Sequence, residues 1–242
     1  SASLMDSWDG SLATFVVTST GDSGGGTLRE AIDSANANGI GLDLITFNIA
    51  GTGIHTITLG SSLMVTGAVS IDATTDDSFA ANGSRPAIVI NGNTVVQDGF
   101  QLYTNSSGST IRGFVIQNFA QDGIDIASSN GNTIVGNWIG LNSAGTGAAG
   151  NQQGVNLWNA NNNVIGGGTA ADRNVISASS GTGVNIGTDN GTSTGNQIRG
   201  NYIGTNAAGT AALGNSNEGI YIGAANNTVG GTVSGQGNVI SG

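Results

Sequence analysis

The sequence predicts an all-β fold, a right-handed parallel β-helix with a short N-terminal capping α-helix. Three features predict it: a long internal repeat, short apolar segments that begin at glycine, and asparagines spaced regularly between them. The repeat is visible when Asn132–Gly140 is set against Asn196–Gly204, because NTIVGNWIG returns as NQIRGNYIG after 64 positions. A fixed period of this kind indicates units that bury their apolar faces only against their neighbours.

The apolar segments predict short strands. Each reads Gly-apolar-x-apolar, and alternation over three or four residues bounded by Gly and Asn is typical of a half-buried strand. Asn-x-Ile and Asn-x-Val segments follow, so one circuit holds three strands and three bends. Stacked circuits would build a continuous interior of Ile, Val and Leu, with Asn ladders at the bends. The right hand is taken from the usual hand of parallel crossovers. The glycine-led segments are Gly99–Leu102, Gly123–Ile126, Gly154–Leu157, Gly183–Ile186 and Gly219–Ile222.

A short amphipathic helix is predicted near the N-terminus, after a strand at Phe15–Thr20. Thr27 and Glu30 have the spacing of a capping box, and Gly39 stands where a helix would stop. Four apolar residues share one face, and a helix with such a stripe suits the cover of an open solenoid end. The stripe consists of Leu28, Ala31, Ile32 and Ala35.

We therefore divide the chain into an N-terminal strand and capping helix at residues 1–50 and one continuous domain of coils at residues 51–242. Residues 44–72 hold three predicted strands, Leu44–Ile49, His55–Leu59 and Ala68–Asp72, as plausible first coils. Residues 74–85 are predicted to form a polar loop.

Composition limits the partners. The 242 residues carry 15 acids, five Arg and no Lys, for a net charge of −10. Such a surface repels phosphate backbones and anionic bilayers, so neither nucleic acid binding nor membrane insertion is expected. Cysteine is absent, which excludes disulfides and thiolate metal sites. The chain opens at Ser1 without a charged, apolar leader, which fits a mature secreted chain or an excised fragment.

Residues Phe15–Ser70 resemble the N-terminal segment of secreted bacterial right-handed parallel β-helix repeat proteins of the CSLREA type. The motif here is GTLREA at Gly26–Ala31, and it lacks the Cys-Ser pair. Gly136–Asn151 and its copy Gly200–Asn215 resemble the recurrent unit of the same family. The resemblance implies the fold and an extracellular or bacterial cell-surface location. Such domains belong mostly to large surface or exported proteins of unassigned role.

An enzyme on this scaffold would need clustered reactive groups. Polysaccharide hydrolases use two or three carboxylates, and lyases use a base with cations or Ca²⁺. The outward positions of the glycine-led strands supply only one carboxylate. Asp122 and Asp125 could share a cation such as Ca²⁺, or could be solvated surface acids. We therefore assign no catalytic residue, no metal ligand and no cofactor. These outward positions are Gln101, Asp125, Asn156, Asn185 and Tyr221.

The third strand of each circuit carries an apolar, partly aromatic outward stripe, which is unusual on a soluble rod. The loops Leu141–Asn151 and Thr205–Asn215 could fold back and cover it. Otherwise the stripe is a contact surface for another protein or for a glycan, on which Trp138 and Tyr202 could stack. The stripe consists of Val115, Trp138, Val175, Tyr202 and Val239.

These observations predict a non-catalytic, structural or adhesive module of a bacterial surface or secreted protein. It could assemble end to end into fibres or continue into further coils of a longer chain. The alternative is a polysaccharide lyase or hydrolase acting on acidic glycans. The candidate ligand-binding residues are Trp138, Tyr202, Tyr221, Asp125, Asn156 and Asn185.

Overall fold

The chain folds as a parallel β-helix. The computed structural model describes residues 12–39, 41–189 and 192–242, so the first eleven residues of the predicted N-terminal unit lie outside the described residues. Within these ranges 21 strands, numbered here in chain order, form three sheets whose strand pairs are all parallel. Each full coil gives one strand to sheet C, then one to sheet A and one to sheet B.

Sheet A has eight strands and begins within the N-terminal segment. In spatial order it contains β1 (Thr14–Val17), β2 (Asp43–Phe47), β5 (Val69–Asp72), β8 (Thr110–Arg112), β11 (Thr133–Val135), β14 (Val164–Gly166), β17 (Gln197–Arg199) and β20 (Thr228–Val229).

Sheets B and C complete the coils. Sheet B contains β3 (His55–Thr58), β6 (Ile88–Asn91), β9 (Phe114–Gln117), β12 (Trp138–Ile139), β15 (Val175–Ile176), β18 (Tyr202–Ile203) and β21 (Val239–Ile240). Sheet C contains β4 (Leu63–Val65), β7 (Phe100–Leu102), β10 (Asp122–Ala127), β13 (Gln153–Trp158), β16 (Val184–Gly187) and β19 (Ile220–Ile222).

The predicted capping helix is present as α1 (Leu28–Asn38). The Thr27 hydroxyl accepts the Glu30 amide hydrogen, and the Glu30 carboxylate accepts the amide hydrogen of Gly26 at 2.6 Å, one residue before the position expected of a capping box. The helix ends at Gly39, whose φ of 75° is left-handed. The predicted stripe, Leu28 to Ala35, is buried where α1 packs on β1, β2 and β4.

The segment expected to be a loop at residues 74–85 contains regular structure. A 3₁₀ turn at Ala73–Thr75 leads into a short helix, α2 (Asp77–Ala81). Asp76 caps α2 by accepting from the Ser78 amide, and its second oxygen accepts from the Ile49 amide at 2.8 Å. A buried carboxylate thus fixes this segment to the first coils. A second 3₁₀ turn spans Ala170–Asp172.

The interior is a stack of aliphatic side chains, one layer per coil. A single core cluster runs from Val17 to Ile203, and Ile139 in its middle is fully buried. Buried aliphatic side chains stabilise the fold mainly through the apolar surface that they remove from water. The inward orientation predicted for these strands is confirmed.

Two buried asparagine ladders lie at the bends on either side of the short sheet A strands. In each ladder the side-chain amide of one coil donates to the side-chain oxygen of the next, at 2.9–3.2 Å. Ladder members also bond to backbone groups, so these polar side chains are satisfied without water. The predicted ladders are therefore confirmed. The first joins Asn132, Asn163, Asn196 and Asn227, and the second joins Asn137, Asn174, Asn201 and Asn238.

A column of glycines lies where the coils approach each other closely before each sheet C strand. A Cβ added to Gly99 would lie 2.4 Å from the carbonyl oxygen of Gly123, and one added to Gly123 would lie 2.8 Å from that of Gly154. A Cβ added to Gly154 or Gly183 would likewise meet the carbonyl oxygen of the equivalent glycine in the next coil. These positions exclude any side chain.

Candidate functional site

Loops cover the apolar stripe outside sheet B except at its last member, Val239, which is 45% exposed. Trp138 is only 8% exposed, and it packs with stripe and loop residues in a second apolar cluster. A Cβ added to Gly145, in the loop Leu141–Asn151, would lie 2.7 Å from the Trp138 ring. Trp138 is therefore not free to stack on a sugar ring. The cluster consists of Val89, Val115, Trp138, Leu141 and Val175, with Tyr202, Ala207 and Leu213 packed against it.

Tyr202 lies at the edge of that cluster and is half-buried. The guanidinium carbon of Arg173 lies 4.1 Å from the centroid of its ring. A cation so close to a ring face is attracted by the π electrons. One face of Tyr202 is thus already occupied by a residue of this chain.

The other four candidate residues lie together, in one column on the outer face of sheet C. Asp125, Asn156, Asn185 and Tyr221 are direct partners in the strand register. Asn156 Nδ2 donates to Asp125 Oδ1 at 3.0 Å, and Asn185 Nδ2 donates to Asn156 Oδ1 at 2.8 Å. The column presents a carboxylate, two amides and a phenol at consecutive coils, on a rigid sheet.

Two further aspartates lie beside the N-terminal end of this column, Asp122 on the same strand as Asp125 and Asp98 one coil earlier. Asp98 and Asp122 occupy the same place in consecutive coils, just before the glycines of β7 and β10, and are 5% and 6% exposed. Asp98 Oδ1 accepts the Asp122 amide hydrogen at 2.9 Å, and Gln101 Nε2 donates to Asp98 Oδ2 at 2.7 Å. Asp122 Oδ1 is buried without a hydrogen-bond partner among the described residues. Asp122 is thus not the solvated surface acid that was one of the two expectations for it.

Burial raises the pKa of two of these carboxyl groups, those of Asp122 and Asp125. The pKa of Asp122 is raised to about 8, first by burial and then by the charges of Asp125 and Asp98. Burial also raises the pKa of Asp125, to about 6, against the opposing hydrogen bond from Asn156. Tyr103 lies nearby, and burial with the charge of Asp125 raises its pKa. Of the two carboxyls, Asp122 therefore holds its proton to the higher pH.

Aromatic rings flank the column. Trp158, at the end of β13, is 36% exposed, lies over Gly187 and donates its indole hydrogen to Asp189 Oδ2 at 3.1 Å. Tyr221 is 48% exposed. A shallow depression of about 310 Å³ lies beside the column, and Glu218 accepts a hydrogen bond there from Thr182. Polar groups fixed beside aromatic faces can bond hydroxyl groups and pack against the flat faces of rings.

Sequence reasoning missed Asp98, Tyr103 and Trp158. A signal for the first was present, because Asp98-Gly99 and Asp122-Gly123 precede two consecutive glycine-led strands. Stacked coils must bring such equivalent positions together. Trp158 is the next outward position after Asn156 on β13, one residue beyond the Gly-apolar-x-apolar segment Gly154–Leu157.

Among residues 12–39, 41–189 and 192–242, no three His, Cys, Asp or Glu side chains form a group that could hold a metal ion. The helices in these ranges include none with the length and apolar character needed to span a bilayer. Comparison with protein-family models and with curated proteins finds no match for this chain.

Proposed function

We propose that this chain is a non-catalytic, extracellular β-solenoid module that binds a glycan on the outer face of sheet C. The observation that carries the proposal is the column Asp125, Asn156, Asn185 and Tyr221, held in register on consecutive coils beside the exposed ring of Trp158. The coil repeat is the ordinary strand spacing, about 4.8 Å, so a chain of sugars lying along the column would meet a new polar group at every coil.

The extracellular, bacterial setting is supported by the GTLREA motif at Gly26–Ala31 and its resemblance to the N-terminal segment of CSLREA-type proteins. An acidic surface fits this setting, because its net charge of −10 limits non-specific association. A structural or adhesive role in a surface or secreted protein fits both features.

End-to-end contact is part of the proposal. Neighbouring coils cover each other's apolar side chains within the stack, as Ile186, Ile198 and Ile203 are fully buried between the coils on either side. The same packing would join the coils of two copies. Sedimentation over a range of concentrations tests such contact between copies, and monomers at every concentration would contradict it.

Glycan binding is tested with a panel of immobilised polysaccharides, both neutral and acidic. Trp158→Ala and Tyr221→Ala should each weaken binding about tenfold or more, because each removes a ring face. Val95→Ala, which truncates an exposed apolar side chain outside sheet C, should bind as the parent does. Unchanged binding in both aromatic variants would contradict the proposed surface.

A second candidate, a polysaccharide hydrolase, is favoured by the pKa values of Asp122 and Asp125. A carboxylic acid near a carboxylate can protonate a leaving oxygen while the carboxylate acts as base or nucleophile. A lyase acting on acidic glycans fits less well, because none of the five arginines lies on a strand of sheet C. The test is release of reducing ends from the same panel, which Asp125→Asn should abolish. Absence of products from every polymer would reject this candidate and leave glycan binding standing.

A further inference from the structure

Three arginines line one cavity on a different side of the molecule from the sheet C face. The cavity has a volume of about 340 Å³ and lies between the α2 segment, the outer end of β8 and the turn before β15. Its lining includes Arg85, Arg112 and Arg173. The chain has only five arginines, no lysine and a net charge of −10, so this concentration of positive charge is a local exception.

None of the three arginines forms an ion pair with a carboxylate among the described residues. Arg85 Nε donates to the Asn82 carbonyl at 2.8 Å, and Arg173 Nε donates to the Gly200 carbonyl at 3.3 Å. These bonds use one edge of each guanidinium. Arg85 Nη2 also donates to Asn82 Oδ1 at 3.2 Å, and both guanidinium groups keep further N–H donors.

Arg112 is the least satisfied of the three. Its Nε is buried and has no hydrogen-bond partner in the described part of the chain. Asp72 stands beside it in the strand register, but no Asp72 oxygen comes within 4.0 Å of its guanidinium nitrogens, and Asp72 Oδ1 accepts from the amide and hydroxyl of Thr74. A buried donor without a partner is costly, so a bound acceptor at this place would be stabilised.

The rest of the lining suits an organic ligand. Phe79, Pro86 and Trp138 form apolar walls. A neighbouring depression of about 290 Å³ shares Arg85 and Trp138 and continues to Thr146 and Asn206. A charged group held by the arginines would therefore leave room for an attached ring in this neighbouring depression.

We propose that this cavity binds an oxyanion group, a carboxylate, sulfate or phosphate, carried on a small ring such as a sugar. The planar guanidinium presents paired donors that match two oxygens of such a group, and the bonds are strengthened by charge. The cavity is lined by none of the residues of the sheet C face. A negative result for either proposal therefore leaves the other unaffected.

The test is titration of ¹⁵N-labelled protein followed by NMR, with sodium sulfate, phosphate or galacturonate as the probe and sodium chloride holding the ionic strength constant. At least one oxyanion should shift the Arg112 Nε–H signal and the Trp138 indole signal with saturation. Galactose, the uncharged counterpart of galacturonate, should not. Stronger binding of galacturonate than of the inorganic ions identifies a sugar acid, and the reverse order identifies a tetrahedral anion.

Two variants and a matched control decide the site. Arg112→Gln and Arg85→Gln should each weaken binding about tenfold or more, and Arg85 is exposed, so its replacement leaves the fold intact. Arg199→Gln is the control, because Arg199 occupies the same outward place on β17, also with a buried unpartnered Nε, but does not line the cavity. Saturation by no oxyanion, or equal weakening by Arg199→Gln, would overturn the proposal.

Discussion

Asp98 accepts the backbone amide hydrogen of Asp122 at 2.9 Å. A carboxylate of one coil is therefore hydrogen-bonded to the residue of the next coil whose side-chain pKa is raised to about 8. The contact joins equivalent positions of neighbouring coils and is a direct product of the repeat. It also places two carboxyls near a third, Asp125, and burial then raises the pKa of Asp122 to about 8.

The raised pKa predicts that stability falls with rising pH. Asp122 has a pKa near 3.9 when unfolded, so between about pH 4 and pH 8 the folded chain binds more protons than the unfolded chain. Asp122→Asn removes this dependence and should be more stable than the parent at pH 8 by roughly 1–3 kcal/mol, with little difference at pH 4. Urea unfolding at both values measures it. Asp33→Asn, at an exposed acid of α1, is the control, and equal effects of both replacements would contradict the prediction.

The second asparagine ladder is predicted to be a major source of stability. Asn174 accepts from Asn137 and donates to Asn201 and to the Ile134 carbonyl. Asn174→Ala leaves several buried polar groups without a hydrogen-bond partner. It should lower the free energy of unfolding by about 2–4 kcal/mol. Asn217→Ala, at an exposed position, should cost less than about 0.5 kcal/mol. Similar chemical denaturation midpoints for the two variants would show that the ladder adds little.

A charge in the stacked core should unfold more than one coil. Ile139 is fully buried in β12, and Ile139→Asp would place an unpaired carboxylate among aliphatic side chains. We expect a loss of roughly 4 kcal/mol or more, with proteolysis spreading to the coils on both sides. Met64→Asp, at an outward position of β4 that is half exposed, should leave the protease pattern unchanged. Cleavage confined to the substituted coil would contradict neighbour-dependent stability.

The loop that covers Trp138 depends on a glycine. Gly145 has a φ of 71°, and a Cβ there would meet both the Trp138 ring and the Ala207 side chain at less than 3 Å. Gly145→Val should therefore push the loop outward and expose the indole. In a background with Trp8→Phe and Trp158→Phe, the emission of Trp138 should move to longer wavelength and become accessible to iodide. An unmoved spectrum would mean that another segment protects the ring.

The coils were predictable because every layer repeats the same chemistry. Equivalent positions of the repeat carry the same residue type, as Ile139 and Ile203 or Asn137 and Asn201 do. The strands and bends of one coil therefore predict those of the other coils. β4 was missed because LMV at Leu63–Val65 has neither the leading glycine nor the asparagine of later circuits. The helix α2 was missed because its five residues carry no apolar stripe.

The candidate site was only half predictable. Outward positions such as Asp125 and Asn156 follow from alternation along a strand, so their common column was visible in the sequence. Burial was not, since it depends on how far each loop folds back. The loops bury Trp138, whereas Trp158 stays 36% exposed beside Gly187 and Asp189. For the same reason the meeting of Arg85, Arg112 and Arg173 could not be predicted, because Arg85 and Arg173 lie in loops whose lengths are not fixed by the repeat.

The glycine column at Gly99, Gly123, Gly154 and Gly183 has a consequence for folding. A slip of one residue in the pairing of two coils would bring a Phe, Ile or Val into the column. There is no space for such a side chain beside the neighbouring carbonyl, so the misaligned layer cannot close. The glycine column therefore selects the correct alignment as each coil adds to the stack.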